Sequence, residues 1–184
     1  MANSSPRAGR RESPTYGLAT PERSEKNAIW RETRVAIKNV VKPGESVVKH
    51  EFVYEKNGVT TFECRELISR QANGAEKICV FKAVFGPREE HAKHKHTTCD
   101  EIVYCVSGRG VEGIEVAPGK FEEFEYFPGM TLHLPTDVGH YTRNPDYFEH
   151  LHLIGIFVGV PDMNKETTGY VSLGSITDAD KTVA

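Results

Sequence analysis

The sequence predicts an all-β domain, closed as a barrel or folded as a sandwich, on three observations. Turn signals built from Gly, Pro and Asn recur every eight to twelve residues or so. The segments between them are rich in Val, Ile, Phe and Tyr, several in alternation with polar residues. No helical period is sustained for three turns before the C-terminal tail; 163–170 has room for one short turn.

The elements follow in order. Residues 1–28 read as a disordered tail rich in Ser, Pro, Arg and Gly, with a basic cluster at Arg7, Arg10 and Arg11 and too little apolar surface to offset the entropy of ordering. Arg34 to Val41 is a β-branched run ended by Pro43-Gly44. Ser46 to Lys56 and Val59 to Ile68 flank Asn57-Gly58, a strong hairpin signal. Strands are further expected at Lys77 to Phe85, Glu101 to Ser107, Val111 to Val116, Phe121 to Phe127, Met130 to Pro135 and Tyr147 to Val158, each bounded by Gly, Pro or Asn turns. The domain proper is assigned to 29–160, leaving 161–184 as a C-terminal extension.

A chain of 184 residues suits one domain with a sizeable core. The formal net charge of −3 gives no reason to expect nucleic acid or an anionic membrane as a partner. No apolar run approaches the roughly 18 residues that a bilayer span requires, and no signal peptide is evident, so a cytoplasmic protein is expected. Cys64, Cys79, Cys99 and Cys105 are spaced neither as a zinc ribbon nor as a redox pair. They read as reduced thiols, Cys105 as a small apolar filler.

Chemistry concentrates in the histidines, seven of eight falling between His91 and His152. His94-Lys95-His96 is followed after four residues by Glu101 and after six more by Gly108. A second block reads Gly129, Pro135, Asp137, His140, Asn144. A strand sends alternate side chains to one face, so His94 and His96 point the same way. Neutral imidazoles with a carboxylate suit a borderline divalent cation.

With these two blocks the chain resembles the cupin superfamily, small β-barrels built as a jelly roll. The first family motif is carried by Gly86, His94, His96, Glu101 and Gly108, with the leading glycine two residues early and the loop Pro87 to Lys93 correspondingly long. The second matches at Gly129, Pro135, His140 and Asn144 and departs at Asp137, where the family usually has glycine. The likeness covers roughly Lys77 to Val158, and the earlier strands fit as additional N-terminal strands. It implies a jelly-roll barrel, with His94, His96, Glu101 and His140 as metal ligands. Iron(II) is the leading ion, with manganese, nickel, cobalt or zinc as alternatives, and the set leaves positions open for substrate, water or dioxygen. It also implies a homodimer, formed through N-terminal strands such as Arg34 to Val53.

His150 and His152 share one strand face, with Leu151 and Leu153 on the other. Either the leucines pack between the sheets and the histidines meet solvent, or the histidines line the pocket with Phe148, Ile154, Ile156 and Val158. The closing strand of cupin barrels commonly supplies pocket residues, which favours the second and makes both histidines candidate proton-transfer groups. Tyr104, three residues past Glu101 and hence on the opposite face, completes the candidate catalytic set. His91 is expected to be exposed or at a rim, His50 solvated, and His133 on either face. Arg65 and Glu63 are expected to form a solvent-facing salt bridge.

Function is expected to be enzymatic: a metal-dependent, dioxygenase-type oxidoreductase acting on a small organic molecule that chelates the ion. A redox-neutral lyase, dehydratase or isomerase using a pocket His or Tyr base is the second reading, and a non-catalytic small-molecule-binding cupin the third.

Overall fold

A computed structural model describes residues 48–54 and 59–183. The chain divides into residues 1–40 and 41–184, and all of the described residues belong to the second unit. The N-terminal tail, the run Arg34 to Val41 and the Asn57-Gly58 turn lie outside the described residues, as does the side chain of His50.

Among the described residues, eleven strands form two antiparallel sheets. The first holds β1 (Val48–Tyr54), β2 (Val59–Ile68), β3 (Ile78–Phe85), β10 (Leu151–Val158), β5 (Asp100–Ser107) and β8 (Thr131–Leu134), in that order. The second holds β11 (Tyr170–Gly174), β4 (Glu90–His96), β9 (His140–Arg143), β6 (Gly110–Ala117) and β7 (Lys120–Tyr126). Strands that are neighbours in sequence repeatedly fall in opposite sheets, as in a jelly roll. Among the described residues, two single-turn helices, α1 (Arg70–Asn73) and α2 (Lys165–Thr168), sit in connections.

Period-two alternation decides which side chains fill the space between the sheets. On β3, Cys79, Phe81, Ala83 and Phe85 are buried, and on β2 Phe62, Cys64 and Glu66 are. Phe62 stacks on Phe85 with ring centroids 4.4 Å apart. All four cysteines are free and buried within this apolar cluster, and burial pushes the thiols up, Cys99 to about 12. Glu63 and Arg65 lie on the outer face of β2 and pair there, each about two-fifths exposed.

Polar joints fix the ends of the barrel. Asn144 donates through Nδ2 to the carbonyls of Phe85, Gly86 and Glu149 at 3.2, 2.9 and 2.8 Å. Its Oδ1 accepts from Asp146 N, and Asp146 in turn accepts from Phe148 N and Glu149 N. Those side chains hold 144–149 as a tight loop, so β10 begins at Leu151 rather than near Tyr147. Arg143 and Glu123 form a buried two-point ion pair at 2.6 and 2.8 Å. Glu123 also accepts from Thr182 N and Val183 N, tying down the C-terminal end. Gly108 has φ +86°, and a Cβ there would run into the carbonyl of His150 and come within 2.9 Å of Leu151 Cα, so only glycine fits that turn.

Candidate metal centre

Three strands converge on the site. β4 and β9 are hydrogen-bonded neighbours with His94 directly opposite His140. His96 lies two residues along β4, and β5 brings Glu101 across from the facing sheet. One ligand atom from each of His94, His96, Glu101 and His140 falls within 4.8 Å of the others, close enough to share one ion. Glu101 Oε2 is 3.3 Å from His140 Nε2 and 3.6 Å from His96 Nε2.

The donor chemistry fits a cation. His94 Nδ1 and His140 Nδ1 sit 2.8 and 3.0 Å from the carbonyls of Ala92 and Val138, contacts that place the proton on Nδ1 and turn Nε2 inward as a lone-pair donor. Buried nitrogens are otherwise nearly always hydrogen-bonded, yet His140 Nε2 and His96 Nδ1 are buried without a hydrogen-bond partner. Burial, followed by the neighbouring rings of His91 and His140, pushes His94 well below the usual imidazole range. Burial also lowers His96, against the pull of Glu101. At His140 burial acts in the same direction, but Glu101 beside it reverses the outcome and the imidazole is raised. An ion between them would satisfy both the Glu101 carboxylate and the His140 Nε2 lone pair. These four residues are therefore the ones that would hold a divalent metal.

The four residues line one cavity between the sheets. Its walls are largely apolar, from Phe62, Phe81, Phe85, Val103, Leu153 and Phe157. Met163, Lys165, Thr168 and Tyr170, all from the segment after β10, also line it. That segment, expected as an extension beyond the barrel, carries β11 on to pair with β4.

The proposed proton-transfer residues do not reach this cavity. On β10 the buried positions are Leu151, Leu153, Gly155 and Phe157, which puts His152 on the outer face and leaves His150 exposed just before the strand. Tyr104 is 43% exposed on the outer face of β5. Ile154 and Ile156, expected in the lumen, also point outward and are only partly covered. The physical reason is that the outer face of this sheet is itself apolar: Ile156 stands between Val80 and Ile102 in register. His133 is exposed and bonds Asp100 at 3.1 Å.

His91, in contrast, lines the cavity, with its ring centroid 4.1 Å from that of His94. Three residues along an even strand would put the two on opposite faces. The β4–β9 register shifts between His91 and His94, a bulge that takes up the added length after Gly86 and turns His91 inward. Burial, then the nearby His140 and His96, drives His91 down to about 3. Asp137 keeps the left-handed turn expected of the glycine it replaces, with φ +66°, a conformation that Asp tolerates. Its backbone N–H donates to His96 O at 2.7 Å, so the turn before His140 is pinned to a ligand strand.

The model of the auxin binding protein family matches residues 38–164. The chain belongs to the auxin-binding protein family. It is similar to auxin-binding protein T85 of Nicotiana tabacum, at 28% identity over 94 residues, which is 48% of this chain and 50% of that protein. A second relative is acireductone dioxygenase of Bacillus cytotoxicus, at 32% identity over 89 residues, 48% of this chain and 46% of that enzyme. The chain thus spans about half the length of the curated relatives it matches. Oxalate decarboxylase of Lactobacillus farciminis, solved as a formate complex, superposes with a TM-score of 0.55 at 22% identity, over 69% of this chain and 33% of that one. That likeness is one of fold. The family match and these relatives place the chain in the cupin superfamily.

Among the described residues, no helix is long and apolar enough to cross a membrane.

Proposed function

We propose that this chain is a metal-dependent cupin enzyme acting on a small organic molecule, with dioxygenase-type oxidation as its reaction. The observation that carries the reading is the convergence of His94, His96, Glu101 and His140 in the wall of a largely apolar cavity. A four-donor set leaves part of the coordination sphere of a six-coordinate ion free on the cavity side. A bound ion would supply Lewis acidity and a meeting point for substrate oxygen and dioxygen. The relatives named acireductone dioxygenase support the oxidative form.

The chain's own residues have definable tasks in that reaction. Phe81, Phe85 and Phe157 exclude water from the cavity and hold the apolar body of the substrate. The carbonyls of Ala92 and Val138 fix the rings of His94 and His140 in one tautomer. The Thr142 hydroxyl, which lines the cavity, is committed to Glu112 at 2.9 Å and stabilises the wall rather than attacking substrate.

A redox-neutral lyase or isomerase requires a base with a pKa near neutrality. With Tyr104, His150 and His152 outside the cavity, the candidates left beside the ligands are His91 and Tyr170, and burial shifts both away from neutrality, lowering the imidazole and raising the phenol. A non-catalytic binding protein is the second reading, favoured by the family's auxin-binding relatives.

Anaerobic purification with metal analysis, followed by oxygen uptake of the iron-loaded protein against catechols, diketones and hydroxy acids, tests the proposal. Substrate-dependent oxygen consumption is expected. Product formation without oxygen would move the protein to the redox-neutral class. Tight binding of these compounds with no turnover would leave a binding protein.

A further inference from the structure

The segment after β10 that lines the cavity is held in place along its length. Arg70 N donates to Pro161 O at 2.7 Å, and Met163 N to Glu66 Oε1 at 2.9 Å. Farther on, Thr98 Oγ1 donates to Thr167 O at 2.6 Å and Thr97 N to Gly169 O at 3.2 Å. Thr168 between them is buried. A strap anchored to both sheets fixes where its side chains stand. The charged side chain it contributes to the cavity is Lys165.

The position of this ammonium relative to the ligands is bounded. Lys165 Nζ lies 4.9 Å from the centroid of the Tyr170 ring, and that ring stacks on His94 at 5.0 Å. The ammonium is thus no more than about 10 Å from the centre of a ligand imidazole, a span that a short acyclic or single-ring molecule covers.

Charge makes the stronger argument. Among the described residues lining the cavity, Glu101 is the one carboxylate and Lys165 the one ammonium, and the others are apolar or neutral. A divalent ion on the four ligands would exceed Glu101 by one positive charge, and Lys165 adds a second. Two positive charges along a largely apolar wall favour a guest carrying two negative ones, the attraction being stronger at the buried ligand group than at the solvent-exposed Lys165 ammonium.

We propose that Lys165 is a specificity-determining residue that reads a second anionic group on the ligand. The cavity then takes a small dianionic acid with an apolar middle, one end at the metal and the other at the Lys165 ammonium. This inference rests on the reading of the four-ligand group as an open metal site.

The test uses the full chain loaded with cobalt(II), titrated calorimetrically with straight-chain dicarboxylates from succinate to suberate and with monocarboxylates of equal carbon number. The cobalt absorption spectrum reports in parallel whether a carboxylate reaches the metal. At least one diacid is expected to bind about tenfold more tightly than its matched monoacid, as a charge-assisted contact provides. The preference should fall severalfold when salt is raised, because the ammonium is exposed. Lys165→Met should bring the diacid down to the affinity of its matched monoacid, and Lys165→Arg should retain the preference. Equal binding of diacids and monoacids, both with spectral changes, would overturn the role of Lys165 and leave the open metal site standing. A preference that survives in Lys165→Met would overturn it too. No spectral change with any acid would remove the open-site reading and this inference with it.

Discussion

Glu112 offers a quantitative test of the barrel interior. Its side chain has no exposure, and one carboxylate oxygen accepts from Thr142 Oγ1 at 2.9 Å while the other has no hydrogen-bond partner. Burial, reinforced by Glu101 and opposed by His140 and Thr142, raises this carboxyl to about 8 from an ordinary value near 4.5. The folded state therefore holds a proton that the unfolded chain releases between those two values. Stability contributed by protonated Glu112 is fully present below pH 4.5 and is lost as pH rises towards 8. At about 1.4 kcal/mol per pH unit, that window amounts to about 5 kcal/mol, an upper bound because the interior relaxes around a charge. Glu112→Gln keeps the shape and cannot ionise. Metal-free protein and the variant should be unfolded in urea at pH 5, 6, 7 and 8. The histidines of the cavity titrate in both, so the difference between the two curves isolates Glu112. The variant should gain on the native chain steadily with pH, by several kcal/mol in total. Parallel curves across the range would refute the buried, proton-bearing carboxyl.

Three further outcomes are expected. In His96→Ala, bound metal measured by elemental analysis should fall sharply with the fold retained by circular dichroism; normal occupancy would remove His96 from the ligand set. In His150→Ala and Tyr104→Phe, metal content and ligand affinity should match the native protein, since both side chains lie outside the cavity; a loss in either would return it to the site. In Gly155→Ala, the new methyl would overlap the Phe81 ring. Overpacking of this kind costs about 1–3 kcal/mol, read as a drop in melting temperature of a few degrees, and an unchanged transition would show that Phe81 can move aside.

The sequence made the metal group legible because its spacing carries structural meaning. His94 and His96, two apart, can only share a strand face, and the turn residues Gly129 and Pro135 place His140 on the next crossing. It could not orient His150 and His152, because β10 is apolar on both faces: Leu153 and Phe157 fill the cavity wall while Ile154 and Ile156 join Val80 and Ile102 outside. Alternation without contrast has no direction to read. His91 escaped for another reason, since a bulge reverses the parity on which face assignment depends. Lys165 and Tyr170 had no local signal at all. They line the site because the strap returns to residues some seventy positions earlier, at Thr97 and Thr98.

The three carbonyls gathered by Asn144 have a consequence for how this protein ages. Hydrolysis of that amide to a carboxylate would replace the donor with an oxygen facing three oxygens, and the joint between β3, β9 and β10 would repel rather than bind. Asparagine loses its amide chiefly when the following backbone nitrogen attacks it, and here that nitrogen belongs to Pro145, which has no hydrogen to give up. Asn73, followed by Gly74, has no such protection, but it caps one exposed turn of helix, where the damage would stay local. Of these two described asparagines, the one whose deamidation would break the joint is chemically shielded, and the vulnerable one stands where the damage stays local.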